Sequence, residues 1–250
     1  MILLTTDVAA AGVFFLYLLL SASLIALTDR LTNMPKEWIR KSYHIMIAMS
    51  MLVLVYAFPT WTGAVVTLAG LMLFARVVIS VAYRLHFLQD LAIDRKSGSA
   101  EVARQIGYLT LSYSGLIVVF WGVLGSEWRF VAVLASLIWG FGDAAAAVVG
   151  KSLGKQQLRA PIFDPKKTVE GALANFIASG LTSFVVLQVL SSVAWWVAVV
   201  CALLLACMST IIEAVSRDGH DTIILPWSLA ALAYPVLLAL THIEKWWLTV

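Results

Sequence analysis

The chain has 250 residues, 62% of them hydrophobic and 12% charged, with a formal net charge of +3. A soluble domain carries roughly 25% charged residues, so a water-soluble globule is excluded. No basic arm or aromatic–basic alternation is present, which argues against nucleic acid as a partner. The remaining class is a polytopic membrane protein.

A helix needs about 20 mostly apolar residues to cross a bilayer. The first uncharged run, 8–28, has no basic segment ahead of it and is too long for the apolar part of a signal peptide, so it is expected to persist as the first span. Residues 42–83 hold one charge, Arg76, and Pro59 divides them into spans at 42–58 and 61–83. Uncharged residues then give a fourth span at 106–125, and residues 130–150, with Asp143 alone, a fifth. The charge-free stretch 171–212 divides at Ser191–Ser192 into spans at 169–190 and 193–215, and the eighth runs over 222–243. The expected fold is all-α: one transmembrane domain over 1–250, with eight helices. Cys201 and Cys207 lie inside the seventh span, and both are expected to be buried packing residues.

The basic residues sort by side. The loops after the first, third, fifth and seventh spans carry fourteen of the seventeen, from Arg30 to Arg217. By the positive-inside rule these loops are cytoplasmic and both termini lie on the other side. In the loop after the third span, RLHFLQDLAID is expected to lie as a short interfacial helix.

Ionisable residues within or beside spans are functional candidates because burying them in lipid costs free energy. Here they gather at the cytoplasmic ends: Arg40, Lys41 and His44 on span 2, Asp143 and Lys151 around the end of span 5, Lys166, Lys167, Thr168 and Glu170 at the start of span 6, Glu213 at the end of span 7 and Asp221 before span 8. Arg40, Lys41, Lys166 and Lys167 stand at the positive ends of helix dipoles, and Asp143 and Glu213 at negative ends. Both placements are unfavourable unless a phosphate meets the cations and a divalent metal the carboxylates. The plainer reading is that the acids pair with the bases. His220, between Asp218 and Asp221, is the least assignable histidine.

The segments RKSYH (40–44), GDAAAAVVGKSLGK (142–155), KKTVEG (166–171) and Glu213 followed by DGHDTIILP (218–226) occur in order. Together with EVARQIGYLTLSY (101–113), this series resembles the CTP-dependent lipid-alcohol kinases: phytol and farnesol kinases, dolichol kinase and the CTP-using diacylglycerol kinase. Where that family often has Asp-Asn before its last span, this chain has Asp221–Thr222. The Ser-x-x-Lys-Arg…Lys-Asp signature of the neighbouring CDP-diacylglycerol synthases is absent.

The resemblance implies transfer of the CTP γ-phosphate, with magnesium, to an isoprenoid alcohol such as phytol, farnesol or a polyprenol held among membrane lipids. It implies an active site on the cytoplasmic face of a bacterial inner, plastid or endoplasmic-reticulum-type membrane. Asp143, Glu213 and Asp221 would hold the metal, and Arg40, Lys41, Lys151, Lys166, Lys167 and Thr168 the nucleotide phosphates. Asp143, Lys167, Glu170, His44 and Asp221 would form the catalytic set, with Glu170 orienting Lys166 or a metal-bound water. The general base is open between Asp221, His44 and none. The alternatives are a phosphatidate cytidylyltransferase-like enzyme and a small transporter.

Overall fold

The computed structural model describes residues 2–84, 99–159, 161–216 and 221–247. It contains eight helices long and apolar enough to cross a membrane, and no strand is found among the described residues. They are α1 (Ile2–Leu31), α2 (Lys36–Tyr56), α3 (Trp61–Arg84), α4 (Ser99–Ile117), α5 (Phe130–Leu153), α6 (Val169–Leu190), α7 (Trp195–Val215) and α8 (Asp221–Trp247). The all-α reading therefore holds, and the protein is a multi-pass integral membrane protein. The breaks fall where Pro59 and Ser191–Ser192 place them. Several helices overrun their uncharged runs, because backbone hydrogen bonding continues past the point where side chains become polar. Arg84, the first residue of the expected interfacial helix RLHFLQDLAID, ends α3, and the rest of that segment, with Arg217, Asp218 and His220, lies outside the described residues.

Helix α5 is the axis of the bundle. Its residues Phe130–Gly140 are all buried, and it packs against α2, α6, α7 and α8. A helix apolar all round belongs in the middle of a membrane protein, and the small residues along α5 let its neighbours approach. At Gly140 the space a side chain would need is filled by the Ala48 methyl group of α2. One turn away, the hydroxyls of Tyr113 of α4 and Ser136 of α5 share a 2.6 Å hydrogen bond, and whichever of them accepts it donates onward to a carbonyl of α2, Tyr113 to Ile47 or Ser136 to Ala48, each at 3.1 Å. These bonds satisfy buried hydroxyls and fix α2, α4 and α5 to one another.

The outward side chains of α1 and α3, among them Leu19, Leu24, Leu73 and Phe74, are apolar and exposed, as a lipid-facing surface requires. The two cysteines differ, against the expectation that both are buried. Cys201 lies in the core, whereas Cys207 is on the outer surface of α7. Six residues along a helix rotate a side chain through about 600°, so two such positions do not share a face.

Candidate active site

The site begins on α2, where Lys41 and His44 lie three residues apart and so project from the same side. Both reach across to Asp143 on α5. The Lys41 ammonium donates to Asp143 Oδ2, and His44 Nε2 lies 3.1 Å from the same oxygen without closing a well-directed hydrogen bond. The pair is deep: the side chains of Lys41 and Asp143 are 7% and 10% exposed. The close approach of α2 and α5 at Ala48–Gly140, one turn further in, brings these groups within reach.

A second pair lies between the segment leading into α6 and the end of α7. Asp164 opens a turn in which its carboxylate accepts from the Lys166 N–H at 2.9 Å and its carbonyl from the Lys167 N–H at 2.9 Å. The Asp164 N–H in turn donates to the Ala214 carbonyl at 3.0 Å. That anchor sets the turn beside the last turn of α7, where the Lys167 ammonium pairs with the Glu213 carboxylate. A strap holds the far side: the Leu158 N–H donates to the Lys167 carbonyl at 3.0 Å and the Val169 N–H to the Gln156 carbonyl at 2.8 Å. Thr168 then caps α6, its hydroxyl oxygen accepting from the Gly171 N–H at 3.1 Å.

Glycine decides how near α5 and α6 come. A methyl group at Gly171 would stand 2.9 Å from the Ala146 carbonyl oxygen and 3.3 Å from the Gly150 Cα. The glycines of the GD and KKTVEG segments thus carry the helix contact that places Asp143 near Lys167. Beneath Gly142, Asn175 Oδ1 accepts from Ser179 (3.1 Å), Ser209 (3.0 Å) and Thr210 (3.2 Å), which keeps a neutral polar layer under the charges.

The two pairs form one electrostatic unit. Asp143 and Lys41 act on Glu213, and Asp143, Lys41 and Lys167 all act on Asp221. Burial works against the charge on Lys167, but Glu213, helped by Asp143 and Asp221, outweighs it and holds the ammonium pKa above the ordinary lysine value. Lys167 is a cation throughout the neutral range. The helix-end argument for a metal–phosphate complex needs correction on this point. In the protein alone, the lysines at the positive helix ends neutralise the carboxylates at the negative ones, so neither placement by itself requires a ligand.

Sequence-predicted residues divide into a centre and a rim. Lys41, His44, Asp143, Lys167, Glu213 and Asp221 come together. Arg40 and Lys151 lie outside and meet at Glu37, which pairs with Arg40 and accepts from Lys151 at 2.5 Å. Lys166 is exposed. The Thr168 oxygen serves the helix cap, and the Glu170 carboxylate accepts from the Gln156 N–H at 3.3 Å. Sequence reasoning missed Glu37 and Asp164. The i, i+3 spacing of Glu37 and Arg40 and the Asp-Pro turn at 164–165 were the signals available.

Among the described residues, no three His, Cys, Asp or Glu side chains stand close enough to enclose a metal ion. Magnesium, however, is commonly bound by one or two carboxylates and completed by phosphate oxygens and water. The expected metal set of Asp143, Glu213 and Asp221 is therefore not gathered as a three-carboxylate site; the hard oxygen donors of one or two of them would suit a metal that arrives with phosphates.

A family model described as the cytidylyltransferase family matches residues 1–211. The chain belongs to the cytidylyltransferase family. It is therefore a CTP-using membrane enzyme, which turns the reading away from a transporter. The span matched to the cytidylyltransferase family contains Lys41, His44, Asp143 and Lys167, while Glu213 and Asp221 follow it. No curated protein and no solved structure is similar enough to this chain to be matched.

Proposed function

We propose that the protein is a CTP-dependent kinase that phosphorylates the hydroxyl of a membrane-embedded isoprenoid alcohol. The observation that carries this reading is the meeting of two lysines, Lys41 of α2 and Lys167 of the segment leading into α6, around Asp143 and Glu213 at one end of an otherwise apolar bundle. Two ammonium groups, one buried and one partly buried, suit a polyphosphate, and the lipid-facing surface beside them suits an acceptor that stays in the bilayer. The site end is assigned to the cytoplasm because the basic loops share it and CTP is found there.

In this reading the alcohol oxygen bonds to the γ-phosphorus as the bond from that phosphorus to the β–γ bridging oxygen breaks. The products are the lipid phosphate, CDP and the hydroxyl proton. Asp143, with Glu213 or Asp221, would hold magnesium together with the phosphates, and the ion would supply neutralising charge to the phosphate oxygens. Lys41 and Lys167 leave their carboxylates for the phosphates, placing two fixed positive charges where negative charge moves during transfer. His44 or Asp221 takes the proton where the alcohol gives it up early.

Cytidylyl transfer to an acidic lipid is the second reading, favoured by the family description. It breaks the bond between the α- and β-phosphates and releases pyrophosphate. The absent C-terminal signature of the CDP-diacylglycerol synthases favours the kinase. Purified protein given CTP labelled at the α- or the γ-phosphate, with phytol, farnesol, a polyprenol, diacylglycerol and phosphatidate in turn, decides between them. Label from the γ-phosphate in the lipid, with CDP formed, is the expected result. Label from the α-phosphate in the lipid, with pyrophosphate formed, would replace it by cytidylyl transfer.

A further inference from the structure

We infer that Asn175 is a positioning residue: it registers α6 on α7, and both on α5, just inside the charges, and so sets how the Lys167–Glu213 pair stands relative to the Lys41–Asp143 pair. The inference rests on the kinase reading and deepens it, since one polyphosphate is to take both ammonium groups. Asn175 lies on α6, eight residues after Lys167 and four after Gly171, and is fully buried. Ser209, also fully buried, lies on α7 four residues before Glu213, hence one turn further into the membrane on the same side. Ser209 donates to Asn175 Oδ1 at 3.0 Å. The same oxygen is one of two acceptors within reach of Ser179, at 3.1 Å, and of Thr210, at 3.2 Å; their other acceptors are the Ser209 hydroxyl and the Ala206 carbonyl.

The third helix enters through a glycine. Gly142 immediately precedes Asp143 on α5. A methyl group there would overlap the Ser179 hydroxyl and stand 3.1 Å from Asn175 Nδ2 and 3.3 Å from Ser209 Oγ. The polar layer therefore fills the space that Gly142 leaves, and the place of Asp143 follows from that fit. The amide itself has one end held and one end open. Its oxygen meets three hydroxyls, whereas Nδ2, which faces α5 at Gly142, is buried and closes no hydrogen bond. An open buried N–H costs free energy, and polar groups that only join membrane helices are expected to satisfy one another. A local rule broken beside an active site marks a position held for function. Ser183, in the same buried column, is the contrast: its hydrogen bond, to the Ser179 carbonyl at 2.7 Å, stays within α6.

Asn175→Leu roughly keeps the volume and removes the acceptor. In the detergent-purified protein it should lower kcat/KM for CTP about thirtyfold and leave the KM for the alcohol within about twofold, because the spacing of the charges changes and the lipid contacts do not. Gly142→Ala, which presses on the same layer, should show the same split, and it carries the test where Asn175→Leu does not fold. Ser179→Ala removes the hydroxyl that the methyl group would meet, so Gly142→Ala/Ser179→Ala should come within about threefold of Ser179→Ala alone. Ser183→Ala should match wild type. A loss shared equally by CTP and alcohol would mean a loosened bundle and overturn the inference. So would a Gly142→Ala defect that Ser179→Ala does not relieve, or a Ser183→Ala loss as large as that of Asn175→Leu. Binding gives a readout free of turnover. The rise in unfolding temperature produced by magnesium and CTP should shrink in Asn175→Leu and in Gly142→Ala and return in the double variant. An undiminished rise in both single variants would also overturn it. If the rise responds as expected while the wild type phosphorylates no alcohol, the kinase reading falls and the positioning role stands.

Discussion

Lys41 and Asp143, 102 residues apart in sequence, form a buried ion pair between α2 and α5, and His44 leans on the same carboxylate oxygen. Removing one partner of such a pair leaves the other charge buried alone, which typically costs about 3–5 kcal/mol. Asp143→Asn and Lys41→Met should therefore each destabilise the bundle by about 3 kcal/mol and abolish turnover. The double variant Lys41→Met/Asp143→Asn should regain most of the stability and none of the activity. Thermal unfolding in detergent together with the labelled-CTP assay separates the two effects. A double variant no more stable than either single one would show that the pair is not coupled as described.

The two lysines of the KKT segment should part company. Lys167 is partly buried against Glu213, whereas Lys166 is exposed and contributes its backbone N–H to the Asp164 turn. Lys167→Met should reduce kcat/KM for CTP by about a hundredfold, near 2.7 kcal/mol in transition-state stabilisation. Lys166→Ala should cost less than about tenfold, as expected for an exposed charge. Equal losses in steady-state kinetics would return Lys167 to the rim.

Stability should respond to alkali in a defined direction. The Lys167 ammonium pKa is raised above 10.5, so its contribution is fully present below that value and is lost only as pH climbs through the higher folded value. The difference in unfolding temperature between wild type and Lys167→Met should stay constant from neutrality to about pH 10. A difference that collapses near pH 8 would mean that the lysine is held neutral by burial.

Packing at the mouth of α6 gives a third kind of test. Gly171→Ala puts a methyl group against the Ala146 carbonyl and Gly150, backbone that yields little, and should destabilise by about 1–3 kcal/mol. Thr168→Val removes the cap and should cost about 1 kcal/mol. Both are read by thermal unfolding, and a Gly171→Ala protein as stable as wild type would contradict the observed approach of α5 and α6.

Sidedness can be checked without turnover. In a Cys207→Ala background, cysteines at Ser152 and Ser216 should react with an impermeant thiol reagent only from the cytoplasmic side, and one at Ser126 only from the opposite side. Core-buried Cys201 should stay silent. Labelling of Ser126 and Ser152 from the same side would mean that α5 does not cross.

Much of this fold was legible because a bilayer imposes a simple rule on composition. Long uncharged runs broken at Pro59 and at Ser191–Ser192 can be read without any knowledge of packing. The charges stranded at helix ends also marked Lys41, Asp143, Lys167 and Glu213 as candidates. What the residues did not disclose is who meets whom. Helical spacing relates Lys41 to His44, but nothing local relates either to Asp143. The dipole argument consequently asked an external ligand to do what the opposite lysine does. Glu37 and Asp164 went unnoticed for a related reason. Each is ordinary in its own segment and acquires its role only where another helix arrives.

The pairing of Asp143 with Lys41 and of Glu213 with Lys167 has a consequence for biogenesis and for selectivity. A chain that carries these counter-ions internally assembles in the bilayer with both pairs already neutralised, and neither pair waits on nucleotide or metal to form. On the proposed reading, substrate capture is an ion exchange: an incoming anion would take two ammonium groups from two carboxylates at once. Chloride or a single small phosphate offers too little charge in too small a span for that trade. A chain of linked phosphates offers both.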